Sequence, residues 1–159
     1  MANKQRDRDT AGRPKNARPR DALGRPLPRE AANAMPQEQP AASPEEALDR
    51  GIEHFNAGRY FQAHEAWEEG WHPSPEPERD FWQGLTQVAV GLTHRQRGNP
   101  HGSATLLRRG AKKLHRYGDR YMGVPAEAVA TFADQAAERV ERDGADAPLE
   151  VPPIVRERA

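Results

Sequence analysis

Four turn signals divide the middle of this chain into segments that only helices can fill. Asn56-Ala57-Gly58, His72-Pro73-Ser74-Pro75, Gly98-Asn99-Pro100 and the Gly118/Gly123 stretch punctuate about one hundred residues. Glycine and proline stop regular structure at such places. Between the stops, apolar residues recur three and four apart rather than in alternation, which is the helical period. Leu48, Ile52 and Phe55 share one face, as do Tyr60, Ala63 and Trp67. Phe81, Leu85, Val88 and Leu92 form the next stripe, then Ala104, Leu107, Ala111 and Leu114, then Val129, Phe132, Ala136 and Val140. The first helix has its own start signal, with Ser43 as N-cap, Pro44 at the first helical position and Glu46 three residues after the serine. The expected fold is all-α, with about five antiparallel helices in a compact bundle.

The flanks read differently. Residues 1–43 have no hydrophobic periodicity and are rich in Pro, Arg and Ala, so a disordered or extended basic tail is expected. The helical domain is expected over 44–143, and an extended C-terminal tail over 144–159, packing through Leu149, Val151 and Ile154. With 35% apolar and 30% charged residues, the core is modest. There is no cysteine, which removes disulfides and thiolate chemistry. No apolar run approaches the ~20 residues of a membrane helix. The expectation is a cytoplasmic protein without a membrane contact.

Net charge is zero but arranged in blocks. Residues 1–29 hold nine basic and three acidic residues, and residues 45–80 hold ten acidic and three basic ones. From Phe81 to Gly118 there is no acid, against Arg95, Arg97, Arg108, Arg109, Lys112, Lys113 and Arg116. Such blocks can neutralise one another when packed, or can present a surface to an anionic or protein partner. Arg97, Asn99, Arg108, Arg109 and Lys112 are the candidate ligand-binding residues. Nucleic acid is a weaker reading, because no aromatic platform accompanies the charge.

The polar cluster is "AHEAWEEGW". His64-Glu65-x-x-Glu68 starts like the H-E-x-x-H zinc-protease motif but lacks its second histidine, so that mechanism is excluded. On the third helix Gln83, Gln87 and His94 lie near a strip holding Gly84 and Gly91. If that strip faced the second helix, His64, Glu65 or Glu68, Gln87 and His94 would converge. Two histidines and a carboxylate suffice for zinc, manganese or non-haem iron. This seam is the expected functional site, its chemistry open: without metal it could do acid–base chemistry, as in a hydrolase, or it could simply fix helix register. The residues leave the metal, any cofactor and the oligomeric state open. No phosphate loop or serine elbow is present.

Two further patterns concern architecture. Gly51, Gly58, Tyr60, Ala63, Trp67, Gly70 and Pro75 follow tetratricopeptide spacing. The Gly58/Gly70 interval recurs at Gly98/Gly110, which suggests two stacked helical hairpins and a possible peptide-interaction module.

Finally, "AGRYFQAHEAWEEGW" followed by "FWQGLTQVAVGLTHRQRGNPHGSATLLRRG" resembles the helical family called domain of unknown function 309, over roughly residues 45–118. The resemblance implies an all-α bundle and assigns no activity. The matching motif positions are His64, Glu65, Glu68, Trp71, Gln83, Gly84, Gln87, His94, Arg97, Gly98 and Asn99. His72 after Trp71, and Thr86 in place of an aliphatic residue, are minor departures.

Overall fold

The structure is a computed structural model that describes residues 20–21, 23–25, 38–71, 76 and 78–158, the side chain of Trp71 excepted. The expected irregular tail over 1–43 and the "HPSP" break therefore fall largely outside the described residues. The described residues from 39 onward form one compact unit, and the few described residues before them belong to a second. In the smaller unit, Asp21 closes a short turn. Its carboxylate accepts from the backbone N–H of Leu23 and of Arg25, both at 2.9 Å, and from Arg25 Nε at 2.8 Å.

The larger unit is all-α. Among the described residues it has five α-helices: α1 Pro44–Asn56, α2 Tyr60–Trp71, α3 Glu78–Gln96, α4 Pro100–Leu114 and α5 Ala126–Asp143. A 3-10 turn, His115–Tyr117, follows α4. The start of α1 is as the sequence predicts: Ser43 Oγ accepts from Glu46 N at 3.1 Å, with Pro44 in the first turn. α4 begins on Asn99, whose Oδ1 accepts from Gly102 N at 3.1 Å. None of these helices is long and apolar enough to cross a membrane.

Each helix packs on the next in sequence. Residue pairs at opposite helix ends show that all four neighbouring pairs run antiparallel. Phe55 meets Tyr60 with ring centroids 5.2 Å apart, while Trp67 reaches back to Leu48. Gln96 bonds to Gly58, and Trp82 lies against Gly70. Gly84 faces Gly110, and Gly91 faces Leu107. Arg108 pairs with Glu141, and His115 with Glu127 and Asp134. His115 bridges two turns of α5, one ring nitrogen to each carboxylate, at 2.9 and 2.7 Å.

The core is one cluster running through all five helices. Trp67, Phe81, Trp82, Leu85 and Leu107 are fully buried within it. Small residues set the closest approach. A methyl group added at Gly110 would come within 2.7 Å of Gly84 O, so α3 and α4 touch backbone to backbone there. The tail after α5 is extended and returns to α1, burying Ile154 in the same core.

Candidate functional site

The motif-bearing edge of α2 lies away from its packing stripe. Tyr60, Ala63 and Trp67 are buried, and Trp67 Nε1 donates to Leu48 O at 3.2 Å. Phe61, His64 and Glu68 occupy another edge, only partly buried. His64 is 13% exposed and held on both sides. Its Nδ1 is 2.8 Å from Phe61 O, and its Nε2 is 3.4 Å from Glu68 Oε1. A carbonyl on one nitrogen and a carboxylate on the other favour a proton on each. Burial pushes the His64 pKa down, but the Glu68 hydrogen bond and charge, the Phe61 carbonyl and the Glu65 charge outweigh it and hold the group above its ordinary value.

This has a consequence for stability. A histidine whose pKa is raised on folding stabilises the fold fully below its unfolded pKa of ~6.5 and loses that contribution as pH rises through the folded value. Glu68→Gln should therefore lower the His64 midpoint in an NMR titration. It should also destabilise the protein more at pH 5.5 than at pH 8.5. A midpoint unmoved by the substitution would show that Glu68 does not hold the ring.

α3 distributes its residues over three sides. Trp82 and Gln96 face α2, where Gln96 Nε2 donates to Gly58 O at 3.1 Å. Gly84 and Gly91 face α4, against Leu114, Gly110, Leu107 and Ser103. The glycine strip thus does not face α2, because α4 offers the matching small residue Gly110 and α2 fills its own contact with Trp82. At about 100° per residue, Gln83, Gln87, Val90 and His94 fall on the outer side, between those two edges. Gln83 accepts from Lys113 Nζ at 2.5 Å. Gln87 Oε1 and its neighbour Thr86 Oγ1 are buried without a hydrogen-bond partner.

His94 is engaged at the α3–α4 turn. Its Nδ1 lies 3.1 Å from Asn99 Nδ2, which has hydrogens to give, so Nδ1 accepts. Burial, then the charge of Arg97, keeps its pKa below the usual value. The two motif histidines are thus held in opposite ways, His64 toward the charged form and His94 toward the neutral one. Arg97 is the α3-end residue that reaches the α2 motif edge: its guanidinium lies 5.8 Å from the centroid of the Phe61 ring, which is itself 4.8 Å from the His64 ring. Phe61 links the two, although its position off the apolar stripe drew no attention to it in the sequence. Among the described residues no three His, Asp or Glu side chains come together as a metal site.

The basic block of α4 is largely matched. Arg108 pairs with both oxygens of Glu141. Asp80 takes Lys113 at 3.7 Å and Arg116 at 3.4 Å. Arg109 and Lys112, exposed and one turn apart, have no carboxylate partner among the described residues. Asp80 and Glu141 lie in the acidic blocks on either side of the basic one. Their block membership was readable in the sequence, but their partners were not.

Comparison with known proteins adds one family. Residues 48–106, from within α1 to within α4, match the family described as Domain of unknown function (DUF309). The matched stretch contains His64, Glu65, Glu68, Gln87, His94, Arg97 and Asn99, and ends before Arg108, Arg109 and Lys112. A similar protein is "Uncharacterized protein YpuF" of Bacillus subtilis (strain 168), 35% identical over 65 residues. That alignment covers 40% of this chain and 37% of the relative, so the chain spans well under half of that protein's length. No solved structure matches. The likeness to the Domain of unknown function (DUF309) family thus extends over residues 48–106.

Proposed function

We propose that the domain is a binding module whose contact surface is the exposed face of α4 and the α3–α4 turn, and that its partner is an acidic peptide segment. The observation that carries this reading is the contrast along α4: Arg108 pairs with Glu141, and Lys113 and Arg116 share Asp80, whereas Arg109 and Lys112 have no carboxylate partner among the described residues. Two unmatched cations one turn apart form a site for carboxylates in high dielectric, with affinity that falls as salt screens it. Asn99, the N-cap of α4, marks the turn end of the same helix. The tetratricopeptide-like spacing of the α1–α2 hairpin fits a scaffold of stacked hairpins that presents such a face. The absence of cysteine from the sequence fits a cytoplasmic setting.

A metal-dependent or acid–base hydrolase is less well supported. A metal ligand or general base needs a free lone pair on the imidazole. Both His64 nitrogens are engaged, and His94 Nδ1 is turned to Asn99. The motif residues of α2 and α3 read instead as the network that fixes the scaffold beside the binding face.

The test is a fluorescence-anisotropy titration with a labelled ten-residue polyglutamate peptide at low salt. The Arg109→Glu/Lys112→Glu double variant should bind at least about tenfold more weakly, since reversing two charges exchanges attraction for repulsion. Unchanged binding in the double variant would overturn the reading. So would tighter binding of a DNA duplex of equal charge than of the peptide.

A further inference from the structure

The tail that follows α5 does more than lie on the surface: it occupies a groove with the parts of a peptide-recognition site. Asn56, the last residue of α1, clamps the main chain of Ile154 in both directions. Its Nδ2 donates to Ile154 O and its Oδ1 accepts from Ile154 N, each at 2.8 Å. The Ile154 side chain is 3% exposed and joins the core. Beyond it, Arg156 Nη1 and Arg158 Nη2 reach the two oxygens of Asp49, at 3.1 and 2.5 Å. The turn before α5 supplies the other wall. Met122 and Gly123 are both in the left-handed region, φ 50 and 76, and their carbonyls accept from Arg156 Nε at 2.9 Å and Glu157 N at 2.8 Å. A side chain at Gly123 would collide with the Glu157 carbonyl, so the wall is built for close main-chain approach.

A main-chain clamp, an apolar anchor pocket and an acid reading arginines at +2 and +4 from the anchor are the elements by which proteins bind extended peptides. We infer that this groove is a docking site for an extended apolar-x-Arg-x-Arg segment, and that its partner in trans is the tail of a second copy of this chain. The tail's own sequence is the one whose fit is displayed. The connection permits exchange: Gly144, φ 89, ends α5, and residues 144–153 can span up to about 33 Å, enough to reach a neighbour. Within that connection Pro148, Glu150, Pro152 and Pro153 are exposed, while Ala147 O accepts from Arg95 at 2.6 Å and Leu149 and Val151 pack on the core, so exchange carries these contacts over with Ile154. The same contacts would form in either arrangement, so concentration decides between them.

The test uses the full chain and a fluorescein-labelled peptide of residues 147–158 as probe. Ile154→Ala weakens the chain's own tail and leaves the groove intact. It should bind the probe at least about tenfold more tightly than the unaltered chain does, and adding Asn56→Ala should remove about tenfold of that affinity, the scale of a lost hydrogen-bond pair. Arg158→Glu replaces Ile154→Ala if circular dichroism shows the latter unfolded. Sedimentation velocity of the unaltered chain should show a dimer that grows with concentration and disappears in Asn56→Ala. Three results would overturn the inference: no probe binding to the folded tail variants, a dimer that survives Asn56→Ala, or a monomer at every concentration.

Discussion

Trp67→Ala should lower the free energy of unfolding by about 3–5 kcal/mol, the range for removing a fully buried aromatic side chain. The Trp67 ring is completely buried. It packs 5.9 Å from Phe55 by ring centroid and lies directly on Gly51, while Nε1 satisfies the Leu48 carbonyl. Removing it empties the α1–α2 seam and leaves that carbonyl without its indole donor, so the cavity and hydrogen-bond costs act together. Gly51 cannot fill the space. Chemical denaturation monitored by helical circular dichroism measures the effect. A loss under about 1 kcal/mol would mean that the α1–α2 hairpin does not close on this ring.

Gly110→Val should cost roughly 3 kcal/mol or more, toward the upper end of overpacking effects. On an isolated helix most replacements of a mid-helix glycine gain stability, by up to about 1 kcal/mol for alanine. Here the added carbon would lie 2.7 Å from Gly84 O and 3.0 Å from Val88 N, both backbone atoms that cannot turn aside. The helices would have to separate, and Phe81, Leu85 and Leu107 would loosen with them. The same denaturation experiment decides it, with Arg109→Ala as the exposed control on the same helix, expected within about 0.5 kcal/mol of the unaltered chain. A neutral or stabilising Gly110→Val would contradict the backbone contact between α3 and α4.

Helix number, order and nearly all ends were legible because each depends on local chemistry. Ser43-Pro44 opens α1, Gly58 and Gly98 close turns, and apolar spacing assigns faces. The two glycines inside α3 sit where another backbone comes close. Which backbone it was depended on a non-local match, Gly84 with Gly110 across the α3–α4 turn, and a stripe on one helix carries no label for its neighbour. The placement of Gln87 and His94 followed from that choice, so the sequence could name the polar residues without saying which would meet. Arg97 over Phe61 was hidden for a related reason, since Phe61 lies off the apolar stripe and is half-buried by a contact from the far end of α3. The tail shows the limit in another form. Ile154 could be read as an apolar residue that packs, but the clamp on it comes from Asn56, ninety-eight positions earlier, and no period in the sequence connects them.

The charge blocks were visible from composition, and packing resolves them pair by pair. That resolution singles out Arg109 and Lys112, and the binding reading rests on these two. The most direct test is an amide chemical-shift map of the isotopically labelled chain during titration with the polyglutamate peptide at low salt. For a binding face on α4, the largest shifts should fall on Arg109, Lys112 and the Gly98–Asn99 turn, and should collapse in the Arg109→Glu/Lys112→Glu variant. Shifts centred instead on His64 and Glu68, or a map unchanged by the double charge reversal, would contradict it.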